Sequence, residues 1–158
     1  MGISEIFKDG NKILAVADGI SFPITQVKDE VFSKKMMGDG VAITPIGTTV
    51  VSPCNGKLTT FFPTGHAFGV TGTDGTEILI HIGLDTVNLK EGTFRTLKKV
   101  DQNVRSGEPI VEFSAKYLTD ETVDMSIMVV FLNLKGRNLK IADYGEVVRA
   151  KSVIATIE

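Results

Sequence analysis

Asp74-Gly75-Thr76-Glu77-Ile78-Leu79-Ile80-His81-Ile82-Gly83 is the stretch on which the reading of this chain turns. It opens with Asp-Gly, a pair suited to a tight hairpin because both residues tolerate positive φ. An isoleucine-rich run follows, and successive side chains of a strand face opposite sides. Ile78, Ile80 and Ile82 then share one face, the natural core face, while Glu77, Leu79 and His81 share the other. On this reading His81 is exposed with Leu79 beside it. Asp85 follows closely enough to orient an imidazole or the backbone around it.

Similar short β-branched and apolar runs recur outward from this stretch: Lys12–Ala17, Val41–Pro45, Thr49–Val51, Ala67–Thr71, Ile127–Leu132 and Val153–Ile157. Turn pairs separate them, at Asp18-Gly19, Asp39-Gly40, Asn55-Gly56 and Lys135-Gly136, and are expected to close tight hairpins. Helix is scarce, with short turns expected at Glu30–Met36 and Ser114–Leu118. The pattern predicts an all-β fold, an antiparallel sandwich or distorted barrel with one or two short helical turns. It is read as a single domain over residues 1–158, and 42% hydrophobic content in 158 residues suffices for a substantial core. Val50–Leu58 and Val104–Val111 echo each other as extended chain bent at glycine, too faintly to count as a repeat.

Composition excludes several classes. Seventeen basic against nineteen acidic residues give a net charge of −2, with no basic stripe for nucleic acid. No 18-residue apolar run exists, so no membrane insertion is expected. The start, Met1–Gly10, has no apolar signal core, and the lone Cys54 rules out an internal disulfide. A reducing, cytoplasmic setting fits. Cys54 among apolar residues reads as a small inert hydrophobe.

The second histidine lies in Phe61-Phe62-Pro63-Thr64-Gly65-His66-Ala67-Phe68. If extended, this segment puts Phe62, Thr64 and His66 on one face. The turn at Asp74-Gly75 allows two antiparallel strands that bring His66 beside His81. The residue types leave three uses open: ordinary hydrogen-bonded histidines, a two-histidine zinc site, or a nucleophile with a partner that stabilises charge on a phosphoryl group.

The motifs themselves resemble a known family. Val31-Phe32-Ser33-Lys34-Lys35-Met36-Met37-Gly38-Asp39-Gly40-Val41-Ala42-Ile43-Thr44-Pro45, then Ser52-Pro53-Cys54-Asn55-Gly56, then Thr64-Gly65-His66-Ala67-Phe68, then Glu77–Leu89 stand in the order and spacing of glucose-type enzyme IIA of the bacterial phosphoenolpyruvate-dependent sugar phosphotransferase system. The resemblance implies that His81 is the phosphorylated histidine, with His66 its partner and Thr64 hydrogen-bonded within the pair. It implies an apolar docking surface of Phe32, Phe62 and Leu79, with acidic Asp39 and Asp85 near its rim. The partners implied are the phosphocarrier HPr as donor and the cysteine of a sugar-specific IIB domain or IIBC permease as acceptor, with regulatory targets on the same surface. One ring nitrogen of His81 must then be held by a backbone carbonyl or similar acceptor, leaving the other to attack. No cofactor is required, although His66 and His81 could ligate zinc. Gly65 and Cys54 depart from the usual family residues, as do Lys90–Phe94, Asp101 and Ser114; the phosphoryl chemistry is expected to survive them.

Rival readings are weaker on the residues. A zinc hydrolase of related β architecture would need Asp85 or another carboxylate as third ligand, and Gly83 stands where a second histidine of a His-x-His pair would be. A lipoyl- or biotinyl-type carrier, suggested by Val104–Ile110, lacks a modifiable lysine in a fitting motif. A regulatory binding protein would use the same surface. No Gly-x-x-x-x-Gly-Lys-[Ser/Thr] loop occurs, so ATP is not the expected donor.

Overall fold

A computed structural model of the chain describes residues 12–158; the polar start Met1–Gly10 lies outside the described residues. The strands, in chain order, are β1 (Lys12–Leu14), β2 (Gly19–Pro23), β3 (Gly40–Pro45), β4 (Thr49–Val51), β5 (Gly56–Phe61), β6 (Ala67–Gly72), β7 (Glu77–Ile82), β8 (Phe94–Thr96), β9 (Asn103–Val104), β10 (Pro109–Phe113), β11 (Ile127–Asn133), β12 (Leu139–Ile141), β13 (Glu146–Val147) and β14 (Val153–Ile157). The single α-helix among the described residues, α1, spans Glu30–Ser33, and 3₁₀ turns lie at Ile24–Gln26, Thr86–Asn88 and Ala115–Leu118. Pairing is antiparallel throughout, in sheets ordered β13-β2-β3-β11-β7-β6-β5-β9, β4-β10-β8 and β1-β14-β12. The all-β expectation holds, as do both short helical turns.

The central strands of the large sheet bury both faces, and their sequences show why. Val41 and Ile43 of β3, Ile78, Ile80 and Ile82 of β7, Phe68 and Val70 of β6, and Ile127, Val129 and Phe131 of β11 enter the main core. The residues between them, Ala42, Leu79, Ala67, Met128 and Val130, enter a second, smaller core on the opposite face, roofed by Ile24, Val27 and Phe32. Two-sided burial explains why β11 reads as a continuous apolar run rather than an alternation. Each large side chain in this small core adds about 1.5–3 kcal/mol, enough to hold down the one-turn α1.

One expectation changes. Of the five turn pairs, Asp74-Gly75 alone closes a hairpin between paired strands, β6 and β7. Asn55-Gly56 and Lys135-Gly136 instead lead the chain from one sheet to another, because β4 and β11 do not pair with the strands that follow them. Asp18-Gly19 and Asp39-Gly40 lie where chain enters β2 and β3, which pair with each other across a connection containing α1. The two segments Val50–Leu58 and Val104–Val111, whose echo was too faint to count as a repeat, are in contact: Val50 pairs with Val111 and Gly56 with Val104, so they turn the corner between sheets side by side. The Asn55 side-chain oxygen accepts from the Ser106 N–H at 2.8 Å there.

Candidate functional site

His81 lies near the end of β7, opposite Ala67 of β6 and Met128 of β11. Its face is the Leu79 face, as the alternation requires. That face is not open, however, because the small core covers it. Leu79 is 8% exposed and Phe32 is 6% exposed. His81 is correspondingly half-buried, not exposed. The expected Phe32/Phe62/Leu79 docking surface is therefore corrected: Phe32 and Leu79 form the floor, and Phe62 alone of the three is exposed, at 38%. The rim of the hollow is completed by exposed Val31, Met37 and Val87.

His66 arrives from the turn that links β5 and β6. The Phe62 N–H donates to the Ala67 carbonyl at 3.0 Å, closing a loop over Pro63, Thr64, Gly65 and His66. Gly65 has φ +81, and a side chain there would press on Phe94 Cβ at 3.0 Å and Thr96 Cγ2 at 3.1 Å. The left-handed backbone and the contact with β8 account for glycine at this position. They also place one of the family departures directly beside the histidine pair. The reversal at Gly65 frees His66 from strand parity. Its carbonyl still accepts from the Ile82 N–H at 2.7 Å, while its ring meets His81 with centroids 5.0 Å apart and planes at 79°. Phe62 stands edge-on to His66 at 5.3 Å, and Phe32 lies 5.1 Å from the His81 ring.

Each imidazole uses Nδ1 for a local bond. Nδ1 of His81 is 2.9 Å from the Gly83 carbonyl oxygen, so Nδ1 carries the proton and donates it, and Nε2 keeps a lone pair. Nδ1 of His66 is bonded to the hydroxyl of Thr64, as expected of that threonine. Both rings are held below the ordinary histidine pKa. Burial is the first cause for each; for His81 the neighbouring His66 adds to it, opposed by the Gly83 carbonyl and the negative charge of Asp29. The pair is thus neutral at physiological pH, as a nucleophile requires.

Of the two acidic residues expected near the rim, Asp85 is found there. Asp85 lines the hollow and is exposed, in left-handed conformation at φ 57. Asp39 is not among the residues that line the hollow. It precedes by three residues Ala42, the β3 position in the His81 row, or about 10 Å along the strand. Its carboxylate binds Lys35 at 3.3 Å and its neighbour's Gly40 N–H at 2.8 Å. Asp29 takes the place assigned to it. It lines the hollow, and its carboxylate accepts from the Val31 N–H at 2.9 Å, capping α1. An aspartate just ahead of a predicted helical turn is the signal that could have found it. Among the described residues no three His, Cys, Asp or Glu side chains gather as a metal site. Cys54 is buried away from the hollow, its thiol pushed up to about 12, first by burial and then by Asp74.

A β-sandwich carrying two neutral, edge-to-face histidines in an apolar-rimmed hollow is suited to carry a phosphoryl group on an imidazole nitrogen, the role that the sequence resemblance implies. Comparison with known proteins agrees and is more specific. The chain belongs to the family described as phosphoenolpyruvate-dependent sugar phosphotransferase system, EIIA 1, whose pattern matches residues 11–136. It is 40% identical over 141 residues to the glucose-specific EIIA component of Mycoplasma capricolum, covering 89% of this chain and 92% of that protein. The solved structure of glucose permease IIA from Mycoplasma capricolum superposes with a TM-score of 0.84, covering 91% of this chain and 93% of that one. The glucose-specific EIICBA component of Staphylococcus carnosus is 39% identical over 92% of this chain, which spans 22% of that longer protein. Among the described residues no helix is long and apolar enough to cross a membrane.

Proposed function

We propose that His81 receives the phosphoryl group from the phosphohistidine of HPr on Nε2 and passes it to the cysteine of a sugar-specific IIB domain. The observation that carries this reading is the 2.9 Å bond from His81 Nδ1 to the Gly83 carbonyl, which leaves Nε2 unprotonated in a ring already neutral at pH 7. The Nε2 lone pair forms the new P–N bond as the P–N bond to the donor imidazole breaks. Each imidazole keeps the proton on its other nitrogen, so no net proton moves. The Thr64 hydroxyl, donating to His66 Nδ1, keeps the proton of His66 on Nε2, where it can donate to a phosphoryl oxygen. Positioning and charge stabilisation of this kind carry most of phosphoryl transfer. Val31, Met37, Phe62 and Val87 give partners an apolar rim of the sort that transient protein docking uses. Relatives that carry a B part in the same chain support a IIB acceptor. Such a relay places the protein in the cytoplasm. It requires no cofactor; a zinc ion on the two Nε2 atoms would need its other ligands from water or from a docked partner.

The test is intact mass after incubation with phosphoenolpyruvate, enzyme I and HPr, with His81→Gln and His66→Gln in parallel. One acid-labile phosphoryl group lost only in His81→Gln, with His66→Gln accepting but transferring onward poorly, is the expected result. No mass gain in the wild type with active donors overturns the reading.

A further inference from the structure

The Gly83 carbonyl is only as good an acceptor as its own placement, and two consecutive peptide groups set that placement. In the Ile82–Gly83 peptide, the Ile82 carbonyl accepts from the Thr86 hydroxyl and the Gly83 N–H donates to the Ser126 carbonyl at 2.8 Å. In the Gly83–Leu84 peptide, the Leu84 N–H donates to the Asp124 carbonyl at 2.8 Å and the Gly83 carbonyl accepts from His81 Nδ1. Peptide groups are planar, so pinning both polar ends fixes each plane. Three of the four ends are held by the backbone of the Asp124–Ser126 turn and by Thr86; the fourth holds the histidine. Thr86 supplies the one side chain among those three. It is 1% exposed, and its methyl carbon Cγ2 comes within 2.2 Å of where a side chain on Gly83 would begin. Gly83 sits at φ +79, a conformation open to glycine with little cost, so without its anchors that peptide pair could relax to others.

We propose that Thr86 is a positioning residue for phosphoryl transfer: by holding the Ile82 carbonyl it orients the Gly83 carbonyl toward His81 Nδ1, and so decides which nitrogen of His81 accepts the phosphoryl group. The Thr86 hydroxyl is spent on the Ile82 carbonyl, so its hold on His81 runs through two peptide planes. The inference deepens the proposed role of His81 and rests on it for its kinetic consequence, but the tautomer can be read on the unphosphorylated protein alone.

The experiment compares wild type, Thr86→Val and Thr86→Ser by ¹⁵N–¹H correlation of the His81 imidazole, with rates of phosphoryl acceptance from phospho-HPr. Valine keeps the shape and removes the hydroxyl; serine keeps the hydroxyl and removes the methyl. Wild type and Thr86→Ser are expected to show one tautomer, protonated on Nδ1. Thr86→Val is expected to show a mixture and to accept phosphoryl about five- to tenfold more slowly, the scale of one lost hydrogen bond. A folded Thr86→Val with the single wild-type tautomer overturns the proposal. Should Thr86→Val fail to fold, the wild-type Thr86 hydroxyl proton decides: slow exchange and coupling to the Ile82 carbonyl support the proposal, and fast exchange overturns it. If phosphorylation is absent at His81 in wild type while the tautomer responds as stated, the proposed function fails and only the control of the His81 tautomer by Thr86 stands.

Discussion

Replacing Gly83 with alanine would test how tightly the acceptor carbonyl of His81 is built. The residue has φ +79, where an alanine pays about 1–2 kcal/mol in backbone strain. The new Cβ would sit 2.2 Å from Thr86 Cγ2 and 3.0 Å from the Asp124 carbonyl oxygen. Ordinary carbon contacts are about 3.5–4.0 Å, so the Thr86 methyl must withdraw by more than an ångström. It has little room, being buried with its hydroxyl bonded to Ile82. Overpacking of this kind costs about 1–3 kcal/mol. The total expected loss is about 2–5 kcal/mol, or roughly 2–4 °C in Tm for each kcal/mol at this chain size. Urea unfolding followed by far-ultraviolet circular dichroism measures it, since the chain has no tryptophan. Phosphoryl acceptance by the folded fraction should fall as well, because the carbonyl moves from Nδ1. A loss below about 1 kcal/mol, with wild-type acceptance, would refute the reasoning.

Two further outcomes follow from the titrating groups. Burial opposes protonation of His66 and His81 in the fold, so the unfolded chain binds those protons more readily. Stability is therefore full above the ordinary histidine value of 6.5, falls as pH drops from there toward the lowered folded values, and levels below them. The slope is at most about 1.4 kcal/mol per pH unit for each histidine. Urea midpoints should fall less for the His66→Gln/His81→Gln double variant than for wild type across this window; equal falls would contradict the assignment. Cys54, with its thiol pushed up to about 12, should resist an aromatic disulfide reagent in the native protein and react on unfolding. Rapid labelling without urea would show the site to be more open than its burial indicates.

Much of the site was legible from residue order because strand alternation is a local property. The run Glu77–Ile82 puts His81 and Leu79 on one face whatever the rest of the chain does, and the structure agrees. The need for a backbone carbonyl or similar acceptor at His81 followed once the resemblance made one of its ring nitrogens the nucleophile. What covers that face was not legible. Phe32 lies far from Leu79 in the chain, and only α1, capped by Asp29, brings it down as a lid over the small core. The sequence therefore offered Phe32 and Leu79 as surface when they are floor. Asp39 and Asp29 illustrate the same limit. Both flank α1, and strand register and capping, rather than spacing, decide that Asp29 faces the histidines while Asp39 turns to Lys35.

By itself, then, the sequence determined the all-β class, the two short helical turns, the identity of both histidines and the face of β7 on which His81 stands, since these depend on period, turn chemistry and motif. The tertiary structure alone decided that His66 reaches its expected place beside His81 by leaving strand parity at Gly65, that Gly83 supplies the acceptor oxygen, and that the apolar rim belongs to Val31, Met37, Phe62 and Val87. Each of these joins segments distant in sequence or turns on a single left-handed residue, and local propensity carries no information about either.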